Sequence, residues 1–379
     1  MATSQVNIVE QNAMARRLVL GAAVEMKQNI FAQTFNPANT NVINVIPRNV
    51  GLIKGFWVQV LASITLAGGG AGATRTDFGP ANLLSQIVYT DLNNNVRHNT
   101  TGWHMNLVNT AKGHKVFGAA ATTDTPTDYG NNYAPIVAPA APATGTSFNV
   151  AMWYYIPIAY SDVNLMGAVF ANVINATQNL QLTVNPNAII ASGDSTSAVY
   201  TGNAGSITSC TINVWQVYLD QLPQNPKTGQ PILPVMDLSN VYMLQNTTLT
   251  GMVANTDFPI AYPNFRSFYS TSVIYNQNGT RANGTDINYW KLQSANFTNI
   301  WQISPALAAM LTREQIFDDV PTGTYYFDHR VKPIETIQYG NMELVLNPIT
   351  AAAQSSAMVG WEMSAFMNQI IGAASLPAG

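Results

Sequence analysis

The 379-residue chain is 47% hydrophobic, which supplies a sizeable core for two or three domains and excludes wholesale disorder. Only 9% of residues are charged, against roughly a quarter in ordinary soluble domains, so much of the surface is expected to be covered by partner subunits. A net charge of −3 excludes a broad basic face for direct nucleic-acid packaging, and a single cysteine, Cys210, excludes an intrachain disulfide framework.

Residues 5–31 place Val9, Ala13, Leu20, Val24 and Phe31 at spacings of four and seven, with Arg16, Arg17 and Lys27 nearby. The spacing predicts an amphipathic helical arm, weakened at Gly21. Such an arm packs on its own domain or a neighbouring subunit, or lies on lipid with Arg16, Arg17 and Lys27 toward the headgroups. The apolar run Leu18–Val24 is too short and too internal for a secretory signal, and no uncharged stretch reads as a transmembrane helix.

After Pro37 the period changes to two. In Leu52–Leu66, Phe56, Val58, Val60, Ala62, Ile64 and Leu66 share one face while Gln59, Ser63 and Thr65 share the other. Further strands are predicted at Ser85–Thr90, Ser147–Tyr155, Leu180–Val184 and Thr208–Leu219, separated by turn-rich stretches such as Ala67–Gly72 and Tyr133–Gly145. Pro223–Pro234, with four prolines and Gly229, reads as a stiff connector between domains. Beyond it strands are predicted at Phe265–Tyr275, Gly323–Asp328 and Thr336–Leu346. One helix is signalled by Ser304 as N-cap and Pro305 in the first turn, before Leu307, Met310, Leu311 and Ile316. Met358–Ile371 satisfies helix and strand periods in part. The pattern is that of an all-β protein built from sandwiches or barrels.

No chemistry assembles along this chain. His98, His104 and His114 share a stretch without the carboxylate or cysteine that would complete a metal set, so surface or hydrogen-bonding roles are expected. His329 follows Asp328 and lies ten residues after Asp319, but adjacent strand residues face opposite ways and cannot easily act together. The glycines of 68–72 lack a Gly-Lys-Ser/Thr ending and a following helix, and Cys210 alternates with Ile212 and Val214 as a small buried residue would. Trp153-Tyr154-Tyr155 and Tyr325-Tyr326-Phe327 could stack on sugars, but alternation commits at least half of each to a core. Six sequons, at Asn99, Asn175, Asn246, Asn278, Asn283 and Asn296, are about what composition yields by chance. A structural protein is expected, not an enzyme, with no cofactor, no metal and no catalytic residues.

Several segments closely resemble the double jelly-roll major capsid proteins of tectivirus-type phages, which are tailless and icosahedral with an internal membrane. They include TDFGPANLLSQIVYTD at 76–91, TTGWHMNLVNTAKG at 100–113, VYLDQLP at 217–223, ILPVMDLSNVYMLQN at 232–246 and KPIETIQYGNMELVLNP at 332–348. The resemblance implies two eight-stranded jelly rolls side by side, with strands roughly perpendicular to the shell. It also implies homotrimeric, pseudo-hexagonal capsomers. The expected partners are neighbouring capsomers, penton and minor capsid proteins, and an internal viral membrane met by the N-terminal arm; the virion is the expected location, after synthesis in the host cytoplasm. The expected division is a helical arm at 1–31, a first jelly roll at 32–222, a linker at 223–234 and a second jelly roll at 235–379. A jelly-roll receptor- or carbohydrate-binding spike is the alternative, which an exposed aromatic and Asn/Asp cluster on loops would favour.

Overall fold

Alternating burial shapes both halves of the chain in the computed structural model, which describes residues 8–113, 140–172, 176–193, 196–277, 280–282, 284–316, 321–336, 340–349 and 355–366. The first half contains α1 (Ile8–Ala22), β1 (Val24–Phe35), β2 (Val42–Val45), β3 (Leu52–Leu66), β4 (Leu84–Thr90), β5 (Val96–Thr100), α2 (Gly102–Ala111), β6 (Ser147–Pro157), β7 (Asn179–Val184) and β8 (Gly205–Asp220). The second contains α3 (Val235–Leu238), β9 (Asn240–Thr250), β10 (Phe258–Ala261), β11 (Ser267–Gln277), β12 (Ile287–Ser294), β13 (Trp301–Ile303), α4 (Pro305–Ile316), β14 (Thr324–Asp328), β15 (Met342–Pro348) and β16 (Ser356–Phe366). Shorter strands, such as Val169–Phe170 and Ile334–Glu335, extend the sheet edges.

Each half is a sandwich of four main strands on four. In the first, β1-β8-β3-β6 faces β5-β4-β7-β2, and residues such as Val58, Val60, Ile87 and Leu182 meet in one core. In the second, β9-β16-β11-β14 faces β10-β15-β12-β13 around a core that includes Trp290, Val273, Leu344 and Val359. A parallel contact of β5 with β9, Leu244 opposite His98 and Gln245 opposite Asn99, fuses one sheet of each sandwich into a single continuous sheet.

That junction explains an irregularity in the burial pattern. Strand β3 obeys the expected alternation, its apolar face buried and Gln59, Ser63 and Thr65 half-exposed. Strand β14 does not, since Tyr325, Tyr326 and Phe327 are all buried. Tyr325 and Phe327 enter the second core while Tyr326 enters the first. Strand β9 divides likewise, with Val241 and Met243 in one core and Tyr242 and Leu244 in the other. The sheet is sandwiched on both faces, so both side-chain rows are apolar or paired. Each fully buried large apolar side chain contributes roughly 1.5–3 kcal/mol.

Several expectations are corrected. The helix predicted over 5–31 ends at Ala22, and residues 24–35 form β1, paired antiparallel to β8 from Val24 opposite Asp220 to Phe35 opposite Cys210. The open edge of β8 offers a long row of backbone donors and acceptors, which outweighs continuing a helix weakened at Gly21. Residues 24–31 thus belong to the first sandwich, not to a helical arm. The Pro223–Pro234 connector folds back on itself, with Asn225 N–H donating to Gln230 O at 2.8 Å and Ile232 N–H to Pro223 O at 2.7 Å. The strand expected from Phe265 starts at Ser267, and the one expected from Thr336 starts at Met342. Helix α2 carried no helix signal strong enough to be predicted. Helix α4 forms as read, its Ser304 Oγ accepting from Leu307 N–H at 3.3 Å. The ambiguous Met358–Ile371 is strand through Phe366; its last residues, like most of the Tyr133–Gly145 loop, lie outside the described residues.

Candidate functional site: the seam and the N-terminal dock

The residues weighed for chemistry are structural where they are described. His98 is fully buried at the β5–β9 junction, where Leu244 N–H donates to Nδ1 at 3.0 Å, leaving Nε2 to donate to the Pro157 carbonyl at 2.7 Å. His104, on α2, shares a 2.6 Å hydrogen bond between Nδ1 and Thr100 Oγ1 and lies against Gly360. Burial pushes both imidazoles down to about 3, so they stay neutral. His329 is held down to about 4 for the same reason, and Cys210, fully buried, is pushed up to about 12. His114, Asp319 and the sequons at Asn175, Asn278 and Asn283 lie outside the described residues. Among the described residues no cluster of three His, Cys, Asp or Glu could hold a metal. Tyr154, Tyr155 and the whole 325–327 group are buried, so these aromatics pack in cores rather than forming sugar platforms.

The chemistry of this molecule is concentrated between the sandwiches. The outer face of β9-β16-β11-β14 meets α2 and the 158–166 loop of the first half. There Lys112 Nζ lies 3.1 Å from Glu362 Oε1, and both side chains are almost wholly buried. Glu362 also accepts from Tyr242 OH at 2.9 Å and Ser270 Oγ at 2.9 Å. The Lys112 ammonium sits 4.0 Å over the Tyr160 ring and 4.6 Å over that of Tyr242. Burial pushes the Lys112 pKa down, with Glu362 opposing. Arg330 grips Asp328 with two nitrogens at 2.9 Å and donates to Ala111 O across the seam at 2.8 Å. Nearer α1, Arg97 pairs with Asp91 at 2.7 Å and donates to Gly167 O, whose own N–H reaches Asp237 O at 3.0 Å. A buried charge retains its charge only when paired, so this network specifies one relative placement of the two halves. One signal in the sequence pointed to it, a lone Glu362 inside the apolar run VGWEMSAF.

The second feature is the seat of α1. Val19 is buried with Leu52, Leu165 and Leu219, while Asn12 Nδ2 donates to Asp237 Oδ1 at 2.8 Å and Asn12 Oδ1 accepts from Met236 N–H at 2.9 Å. Arg16 lies 3.4 Å from Asp237 and is half-buried. Arg17 is exposed beside Leu18, one turn from Met14. Lys27 is not on the helix at all; it lies on β1, 3.3 Å from Glu25, which also accepts from Lys54 at 2.7 Å. The three cations expected to act together therefore occupy three settings. No helix of the described residues is long and apolar enough to cross a membrane.

Comparison with known proteins accounts for this architecture. Residues 3–222 match the family model described as P3 major capsid protein N-terminal, and residues 239–377 the one described as P3 major capsid protein C-terminal. The chain is 39% identical over 373 residues, 96% of its length and 93% of the other's, to Major capsid protein P3 of Enterobacteria phage PRD1. The crystal structure of the STIV MCP superposes with a TM-score of 0.66 at 11% identity, covering 93% of this chain and 100% of that one. A chain from the atomic structure of Sulfolobus Turreted Icosahedral Virus gives 0.62 at 12% identity, covering 90% and 91%. Those two likenesses establish the double jelly roll as the fold. Two adjoining P3 matches, one over each sandwich, show that the chain belongs to the P3 major capsid protein family, a major capsid protein whose place is the shell of a virion.

Proposed function

We propose that this chain assembles into homotrimeric, pseudo-hexagonal capsomers that tile an icosahedral shell around a lipid membrane enclosing the genome, acting as scaffold and not as an enzyme. Two similar sandwiches in one chain, repeated about a threefold axis, give six comparable wedges. The observation that carries this reading is the buried seam. The Lys112–Glu362 pair and the shared sheet make one rigid double wedge from the two halves. The working division is a first jelly roll ending near 222, a linker at 223–234 and a second from 235, with the N-terminal arm shortened to the residues before β1. Penton and minor capsid proteins would meet the outer edges of this unit. Helix α1 would face the membrane, presenting Met14, Leu18 and Arg17, whereas Arg16 is engaged by Asp237 and Lys27 by Glu25.

Sedimentation analysis of the full-length protein at micromolar concentration should show a species near three times 40.9 kDa. Monomer alone would overturn the capsomer reading. Deleting residues 1–22 should leave that species intact and impair assembly of membrane-containing particles; normal particles from the truncated chain would remove the role given to α1.

A further inference from the structure

Of the exposed large apolar side chains of the second sandwich, four gather at one end, whereas Leu307 and Met310 lie on α4 and Val253 in a loop at the other end. At one set of strand ends, β9 begins at Asn240 opposite Phe366, and β11 begins at Ser267 opposite Ser364 and Glu335. Three loops meet at this end, 262–266 before β11, 295–300 after β12, and 329–333 after β14. They carry Phe265 (59% exposed), Phe297 (55%), Ile300 (41%) and Val331 (99%). In the second sandwich's loops at the opposite end, Val253 is the large apolar side chain so exposed among the described residues. Phe265 is presented with φ +58°, a left-handed conformation that a bulky residue adopts at a cost. Its loop is pinned by Thr336, whose Oγ1 accepts from Arg266 N–H at 3.0 Å and donates to Pro263 O at 3.2 Å.

Between the second and third loops runs a groove of about 450 Å³, with Leu292, Trp301, Ile334 and Met342 in its wall and Lys332 at its rim. His329 also lines it, with Nε2 shielded from water and without a hydrogen-bond partner. Asp237, to which α1 is docked, lies three residues before Asn240, so α1 occupies the same end of the molecule.

We infer that these three loops form a second lipid-contacting surface, with Phe297, Ile300, Val331 and Phe265 entering a phospholipid bilayer and Lys332 and Arg266 meeting its phosphates. The inference rests on the proposed orientation of α1 toward the membrane, and extends the contact to the other sandwich. Neighbouring copies in a tiled shell meet along the sides of the sandwiches, whereas these side chains sit at strand ends, beneath or above the shell. Apolar residues with flanking cations at such a position match an interfacial lipid contact.

The test uses the full-length protein and flotation with phosphatidylcholine vesicles, with and without phosphatidylglycerol. The variant F297S/I300S/V331S changes only exposed side chains, and M14S/L18S does the same on α1. Wild-type protein should float with vesicles, and the loop variant should partition about tenfold less while keeping its sedimentation and melting behaviour. K332E should weaken binding chiefly to the phosphatidylglycerol vesicles. If the loop variant floats like wild type while the α1 variant does not, this inference falls and the α1 reading stands. Loss in the loop variant alone would sink the α1 reading and leave this one. Dissociation of the oligomer by the loop variant would overturn the inference by showing a contact between copies, and wild-type protein that ignores both vesicles would overturn it together with the α1 reading.

Discussion

The seam between the sandwiches and the dock of α1 are built from the same kinds of group, an acid, a base and a few polar partners, in different surroundings. At the seam, Lys112 and Glu362 are 6% and 0% exposed, and Glu362 also accepts from Tyr242 and Ser270. At the dock, Arg16 is 32% exposed, its 3.4 Å contact with Asp237 is long, and Val19 supplies the fully buried side chain. Removing water makes the first set strong in place and costly to break, whereas water screens the second. The difference teaches how one chain can keep a rigid body and carry a terminal element held more weakly.

The comparison can be broken most decisively at Glu362. Glu362→Ala leaves a buried ammonium without its counter-charge and should lower unfolding stability by about 3–5 kcal/mol. In the double variant K112M/E362L, much of that loss should return, because no uncompensated charge remains. Chemical denaturation of both proteins checks this, and equal losses in the two would show that the pair itself, not the orphaned charge, carries the effect.

Acid should act on the same region. The folded-state pKa values of His98 and His104 lie below the ordinary histidine value, so the unfolded chain binds protons first as pH falls. Their contribution is present above about pH 6.5 and is lost toward pH 3. Between pH 6 and pH 5 the two together should remove about 2 kcal/mol. Flat stability over that interval would mean the rings protonate in place. Steric pressure offers a sharper probe of the seam: a Cβ at Gly360 would overlap the His104 ring, so Gly360→Ala should cost about 1–3 kcal/mol in thermal or chemical unfolding. The smallest effect is expected at the dock. Asp237→Asn should change global stability by less than about 1 kcal/mol yet speed proteolysis within α1; protection equal to wild type would show that Val19 alone seats the helix.

Much of the first sandwich was legible in the sequence because water sees one face of its strands. The alternation in Leu52–Leu66 needs no knowledge of neighbours, and the same holds for the Ser304 cap of α4. The reading failed where a partner decided the outcome. Residues 24–31 satisfy helical spacing, but the open edge of β8 makes them part of strand β1. The three consecutive aromatics of β14 could be assigned only in part, since one face was known to be buried but not that both were. Lys112 and Glu362, 250 residues apart, gave no local sign of each other.

The sequence by itself determined the class of fold, the inert burial of Cys210 and the kinship of the chain, because these follow from local periodicity and from long runs of residues. Only the tertiary structure decided how the halves are joined, which histidines are sealed at the joint, where α1 is seated and which loops gather exposed apolar side chains at one end. Those outcomes depend on long-range burial, and removal from water changes what a charge or an aromatic ring does.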